Sequence, residues 1–241
     1  MTEVSSLLPL MRRWERRVSF SEADRNALLS LPSVRRSFSR DSYLVRDGEP
    51  TTHVNLLISG FAYRQKVLSD GARQIISIHI PGEFVDLQNF LLHVSDHNVQ
   101  SLGRTEVALI PKQALTELID ARPLLARALW VETLIDSSVF REWVVNVGRR
   151  SARARISHLL CELALRLRAI GQCEGETCVF PLTQEQLADA TGLTAVHTNR
   201  TLQGLRKEGV IQLSSSQLTI LDWKALTEAG DFSERYLHHT V

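Results

Sequence analysis

The chain has 241 residues, is 44% hydrophobic and 23% charged, and carries only 12 glycines and 7 prolines, a composition that excludes disordered and fibrous classes and suits one large or two ordinary folded domains. No stretch approaches the roughly 20 apolar residues needed to cross a bilayer, and the opening MTEVSSLLPLMRRWERR puts its charges after a short apolar run, the reverse of a secretory signal, so a cytoplasmic protein with no membrane contact is expected. The net charge of +1 does not by itself point to nucleic acid; residues 1–120 balance 14 basic against 14 acidic side chains, whereas 144–209 hold 9 against 6, with Arg149, Arg150, Arg153 and Arg155 close together.

From about Ser42 to Lys112 the chain reads as short β segments. HVNLLISG, FAYRQKVL, ARQIISIHI and EVALIP are rich in β-branched residues, and Asp47-Gly48, Ser59-Gly60, Asp70-Gly71 and Pro81-Gly82 punctuate them. Such spacing predicts a sandwich, barrel or jelly roll, with Asp70-Gly71 at a tight hairpin. From about Leu115 the texture turns helical. Leu124, Ala128, Val131, Ile135 and Val139 place an apolar stripe along one long helix, extended by Trp143, Val144 and Val147. That stripe either packs back on the β domain or pairs with its twin in a coiled-coil-like dimer seam. A second helix is expected over Ala152–Arg168, with Ile156, Leu159, Leu160, Leu163 and Leu167 inward, followed by a loop, IGQCEGETCV. The expected organisation is a β-rich domain over 1–120, a long helix and hinge over 121–150, and a second domain over 151–241.

In PLTQEQLADATGLTAVHTNRTLQGLRKEG, Thr183 and Gln186 have the spacing of a capping box. Leu187 and Ala190 face inward, Gly192 can take the left-handed conformation that ends a helix, and Thr194 caps the next one. With the small Ala188 at the crossing, this spacing is that of a helix-turn-helix, whose second helix enters the major groove. VIQL and QLTIL, joined by SSS, form a hairpin wing.

This arrangement, over about Ser39 to Leu221 and most specifically over Thr183–Ile211, resembles the Crp/Fnr family of bacterial transcription regulators. The resemblance implies an α+β fold: an N-terminal jelly roll of the cyclic-nucleotide-binding type, a long dimerisation helix and a C-terminal winged helix. It also implies a homodimer that binds double-stranded DNA at an inverted-repeat operator and contacts RNA polymerase. Carried over by position, Val196, His197 and Arg200 begin the base-reading face; a guanidinium at Arg200 can bond both O6 and N7 of guanine. Thr183, Thr194, Thr198, Asn199, Gln203 and Arg206 are candidates for backbone contacts. Family members often carry glutamate where Val196 stands, and a valine cannot accept a hydrogen bond from cytosine, so the family's usual half-site is not carried over to this chain.

Relatives that bind cyclic nucleotides hold the ribose with a Gly-Glu pair, matched by Gly82-Glu83, and the phosphate with an Arg-Ser pair. Here Ser95-Asp96 stands near that second place, and an aspartate repels a phosphate. Gly82, Glu83, Ser95 and Asp96 therefore mark the position of an effector pocket whose ligand is unknown and which is not expected to take a cyclic nucleotide. An Fnr-type iron–sulfur centre needs cysteines near the N-terminus, and none precedes Cys161. No cofactor is expected. Cys161 falls on an apolar helix face, while Cys173 and Cys178 can form a reversible disulfide or half a metal site. His79, His93 and His97, with Glu83, Asp86 and Asp96 nearby, are candidates for a metal or a pH response. Two other classes stand beside DNA binding. A cupin-like metalloenzyme would need a second histidine where Ser77 precedes His79 and Glu83, and three ligands cannot be assembled. A protein-binding adaptor would carry an apolar face in place of His197, Asn199, Arg200 and Gln203.

Overall fold

The computed structural model describes residues 5–214 and 216–238, and these form two compact units. Among the described residues the first comprises 5–66, Ser77–Ser137 and His238; the second comprises Val67–Ile76 and Ser138–Leu237.

The first unit begins with two helices that periodicity alone did not reveal, α1 (Leu8–Glu15) and α2 (Glu22–Leu29). At eight residues each they are too short to be stable alone, and α1 is held by what it buries: Leu7, Leu10, Met11 and Trp14 enter a core with Leu28, Val54, Leu56, Ile110 and Leu125. Helix α2 starts at a capping box between Ser21 and Asp24. The strands follow as β1 (Val34–Phe38), β2 (Tyr43–Val45), β3 (His53–Ser59), β4 (Ala62–Val67), β5 (Arg73–His79), β6 (Asn98–Ser101) and β7 (Thr105–Pro111). They make one sheet in the order β1-β7-β3 and another in the order β2-β6-β4-β5, the jelly-roll arrangement expected, with a β1 that precedes the expected start of the β region. Val45, Leu57, Ala62, Val85, Val99 and Val107 fill a small core to which both sheets contribute. At the Asp70-Gly71 turn the Asp70 carboxylate accepts from Ala72 N at 2.9 Å.

Helix α3 (Lys112–Ala121) leads at Pro123 into α4 (Pro123–Arg149), 27 residues long. In the expected apolar stripe of α4, Ala128 and Leu124 join the core of the first unit. Ala128 and Ile135 are buried, and Leu124, Val131 and Val139 are half-buried. The apolar side chains left on the surface lie on a different face, with Trp130 70% and Leu134 58% exposed, followed by Phe140, Val144 and Val145. An apolar stripe wide enough to pack inward and outward at once cannot be apportioned from spacing alone.

The second unit is built on α5 (Ala152–Ala169), whose N-cap Ser151 accepts from Ala154 N. The segment IGQCEGETCV, read as a loop, is instead a hairpin of β8 (Cys173–Glu174) and β9 (Thr177–Val179) closed by a Cys173–Cys178 disulfide. It joins β10 (Ile211–Ser214) and β11 (Gln217–Ile220) in one sheet ordered β10-β11-β9-β8, so the wing has a third and fourth strand. Helices α6 (Gln184–Thr191) and α7 (Ala195–Lys207) lie between, and α8 (Trp223–Gly230) closes the unit. Buried in it is a polar network. Glu162 on α5 pairs with Arg166 at 2.8 Å and accepts from Trp143 Nε1 at 3.0 Å and from the Tyr236 hydroxyl at 2.9 Å. His158 lies between Tyr236 and the Gly230 carbonyl, and burial lowers its pKa below 6.5. A buried carboxylate is tolerable only with this number of donors. No helix among the described residues is long and apolar enough to cross a membrane.

Candidate nucleic-acid interface

The α6–α7 pair is fixed by local chemistry. Thr183 Oγ1 accepts from Gln186 N at 3.2 Å while Gln186 Oε1 accepts from Thr183 N at 2.9 Å, a reciprocal cap that contributes about 1 kcal/mol. Gly192 ends α6 in the left-handed conformation at φ 63°, which a side chain would disfavour. The Arg155 guanidinium then donates to the carbonyls of Thr191 at 3.0 Å and Gly192 at 3.3 Å, so the turn is held on both flanks. Thr194 caps α7 by accepting from His197 N at 3.2 Å. Arg73, in the part of β5 that belongs to this second unit, pairs with Asp189 on α6.

Along α7, Leu202 and Leu205 face the core, each worth roughly 1.5–3 kcal/mol. Thr198 is fully buried beside them, 0% exposed, which removes it from the surface contacts: it lies four residues before Leu202 on the inward face. Val196 is 80% exposed. With Arg200 and Gln203, also exposed, it occupies positions i, i+4 and i+7, one continuous face. His197 and Arg206 are half-buried at its margins. Asn199 Nδ2 donates to Gln184 Oε1 at 3.0 Å, tying the two helices together. Of the nine residues expected to meet DNA, Thr183 and Thr194 thus serve as caps, Asn199 as a brace and Thr198 as core.

The arginine cluster that suggested a basic patch is largely spent inside the unit. Arg150 pairs with Glu142 at 2.6 Å, Arg153 holds Glu208 through both nitrogens at 2.9 and 2.6 Å, and Arg155 holds the turn. Arg149 is exposed. Sequence counting treats every arginine alike, whereas the fold consumes three of these four.

In the first unit the two halves of the expected effector site have other partners. Gly82, at φ 88°, leaves its missing Cβ position 2.9 Å from the Pro9 carbonyl oxygen, so α1 sits against this turn in a way only glycine permits. Glu83 pairs with Arg13 of α1 at 3.1 Å, and Glu132 on α4 takes Arg13 at 3.2 Å and Arg17 at 2.7 Å. Ser95 is buried, its hydroxyl donating to His97 O at 2.9 Å. Asp96 pairs with His97 at 2.7 Å, and that contact, above all, holds its carboxyl below the usual range. Arg13 and Arg17 were the missed residues, and the run MRRWERR, an apolar stripe carrying arginines into a core, is the signal that could have found them.

The histidines do not converge. His79 is buried 3.7 Å from Glu83, His97 is buried against Asp96 and Gln88, and His93 is exposed. Burial lowers the pKa of His79 and His97, and raises that of Asp86 to about 6 although Asn55 donates to it twice. Among the described residues no group of three or more histidines, cysteines or carboxylates can hold a metal ion.

Residues 35–122 match the model of the cyclic nucleotide-binding domain and 154–229 that of the Crp-like helix-turn-helix domain. The chain is 27% identical over 221 residues to the transcriptional activator protein FnrL of Cereibacter sphaeroides, covering 89% of this chain and 88% of that one. It is also 27% identical to the nitrogen fixation regulation protein FixK of Bradyrhizobium diazoefficiens, covering 77% of each. The solved structure of FixK2 from Bradyrhizobium japonicum superposes with a TM-score of 0.76 at 23% identity, over 83% of this chain and 98% of that one, and shares its fold. A jelly roll, a long helix, an exposed polar face on a capped second helix and these two domain matches together place the chain in the Crp/Fnr family of DNA-binding transcription regulators.

Proposed function

We propose that the protein acts as a cytoplasmic homodimer that binds an inverted-repeat operator, inserting α7 of each copy into successive major grooves about 34 Å apart, and that it does so without cyclic nucleotide. The observation that carries the reading is the exposed Val196–Arg200–Gln203 face, on a helix that buries Thr198, Leu202 and Leu205, is capped by Thr194 and is braced through Asn199. Arg200 reads a guanine, and Val196 offers a methyl contact to thymine in place of an acceptor for cytosine. Gln203, Arg206 and His197 contact the backbone or flanking base edges. The second copy covers the exposed face of α4 that carries Trp130 and Leu134, since large exposed apolar patches of this kind mark interfaces. RNA polymerase is the protein partner that the family suggests.

Against a cyclic-nucleotide effector stand two facts: Glu83 is already engaged by Arg13, and Asp96 carries negative charge where a phosphate would need positive. In vitro selection from random DNA tests the whole reading. It should return a motif with two-fold symmetry, and an asymmetric motif would sink the dimer on DNA. Trp130→Glu with Leu134→Glu should give a monomer by light scattering and weaken operator binding.

A further inference from the structure

The hairpin that carries Cys173 and Cys178 is not peripheral to the wing. Strand β9 pairs with β8 on one side, Cys173↔Cys178 and Glu174↔Thr177, and with the wing strand β11 on the other, Leu218↔Cys178 and Thr219↔Thr177. Cys178 thus sits between the cysteine that it bonds and the wing. The hydroxyls of Thr177 and Thr219 meet at 2.9 Å across the same junction. Two residue pairs are too few to hold a hairpin in water unaided, so β8 depends on the sulfur bridge, which works chiefly by restricting the alternatives of the opened chain. The turn between them is tied to the rest of the unit through Arg168, which pairs with Glu176 and lies 4.8 Å from the Trp223 ring.

The two sulfurs differ in access. Cys173 is half-buried and Cys178 is buried. The remaining cysteine, Cys161, is buried on α5 with its thiol pushed up to about 12 by desolvation, which keeps it inert. In a cytoplasm kept reducing, a disulfide is usually a responsive one.

We infer that Cys173 and Cys178 are a reversible thiol–disulfide pair whose oxidation state sets the order of the wing sheet and thereby the affinity for DNA. The inference rests on the DNA-binding reading above. Its oxidant is a low-molecular-weight disulfide. The thiolate of Cys173 attacks one sulfur of it, forming a mixed disulfide and releasing one small thiol. The thiolate of Cys178 then attacks Cys173 Sγ, closing the protein disulfide and releasing the second. Two electrons pass to the small disulfide, and the two protons lost by the cysteines end on the released thiols. Reduction runs the same steps backwards, and β9 becomes the unsupported edge of the wing.

The test uses the full-length protein equilibrated without oxygen over a series of reduced-to-oxidised glutathione ratios. Alkylation and intact-mass measurement count thiols, and fluorescence anisotropy on the selected operator at fixed salt reports affinity. Two thiols should titrate together while the third reacts only after denaturation, and operator affinity should fall about fivefold or more on reduction, the lower range of coupling between two sites. Cys173→Ser and Cys173→Ala, both at a half-buried position, should remove the redox dependence and fix the affinity at the reduced value. A pair that stays oxidised or stays reduced at every ratio, or affinities equal in the two states, would overturn the inference. If the thiols titrate but neither state binds DNA, the DNA-binding reading falls and takes the inference with it.

Discussion

The two units use polar side chains in opposite ways. In the winged-helix unit the functional face is what remains outside after capping, bracing and core packing have taken their share, so Val196, Arg200 and Gln203 stay exposed. In the β-roll unit the side chains that mark a ligand site in relatives have been drawn inward: Glu83 to Arg13, Ser95 to His97 O, and Gly82 against Pro9. A retained motif therefore signals function only where its polar atoms remain free to meet a partner. An exposed helix keeps its side chains free by geometry, whereas a concave site can be filled by the chain itself.

That contrast can be tested by substitutions with graded effects. The largest is expected at the internal ion cluster. Glu132→Ala strips Arg17 and half of Arg13's pairing from a nearly dry site and should cost about 3–5 kcal/mol in urea unfolding, with the α7 face untouched. A loss below about 1 kcal/mol would mean that the cluster is solvated and the β-roll site more open than its contacts indicate. Next, Arg200→Ala should cost roughly 1–3 kcal/mol of specific DNA binding and relax one operator position; an equal loss on operator and random DNA would reassign Arg200 to phosphate contact. A smaller effect is expected at the cap: Thr183→Ala should lower stability by about 1 kcal/mol. Its effect on DNA affinity at saturating folded protein should be slight, and a large one would restore Thr183 to the interface.

The smallest effect concerns pH. His158 has its folded pKa lowered below 6.5, so its neutral-state stabilisation is present above 6.5 and is lost as pH falls through that value, where the unfolded chain binds a proton and the folded one does not. His79 and His97 act in the same direction, whereas Asp86, raised to about 6, opposes them by favouring the folded state as pH falls toward 4. His158→Gln should flatten the decline of the urea midpoint between pH 7 and 5. An unchanged slope would place the titration elsewhere.

The parts of the fold legible in the sequence were those with local causes. Thr183, Gln186, Gly192 and Thr194 announce the helix-turn-helix because capping and left-handed turns need particular residues at fixed spacing. Asp70-Gly71 announces its hairpin for the same reason. Helices α1 and α2 were not legible, since eight-residue elements take their stability from a distant core. Nor was the hairpin of Cys173 and Cys178, whose strand β9 pairs with a wing strand some 40 residues later in the chain.

On its own, the sequence determined that a capped helix pair ends in a wing, and that a β-roll with no phosphate-gripping arginine precedes it. The tertiary structure decided which face of α4 is free, that Thr198 is core, that three of four clustered arginines are spent internally, and that Glu83 already has a cation. The reason is physical. Caps and turns are settled by neighbours within a few residues, while the freedom of a charge or an apolar side chain depends on everything that folds against it.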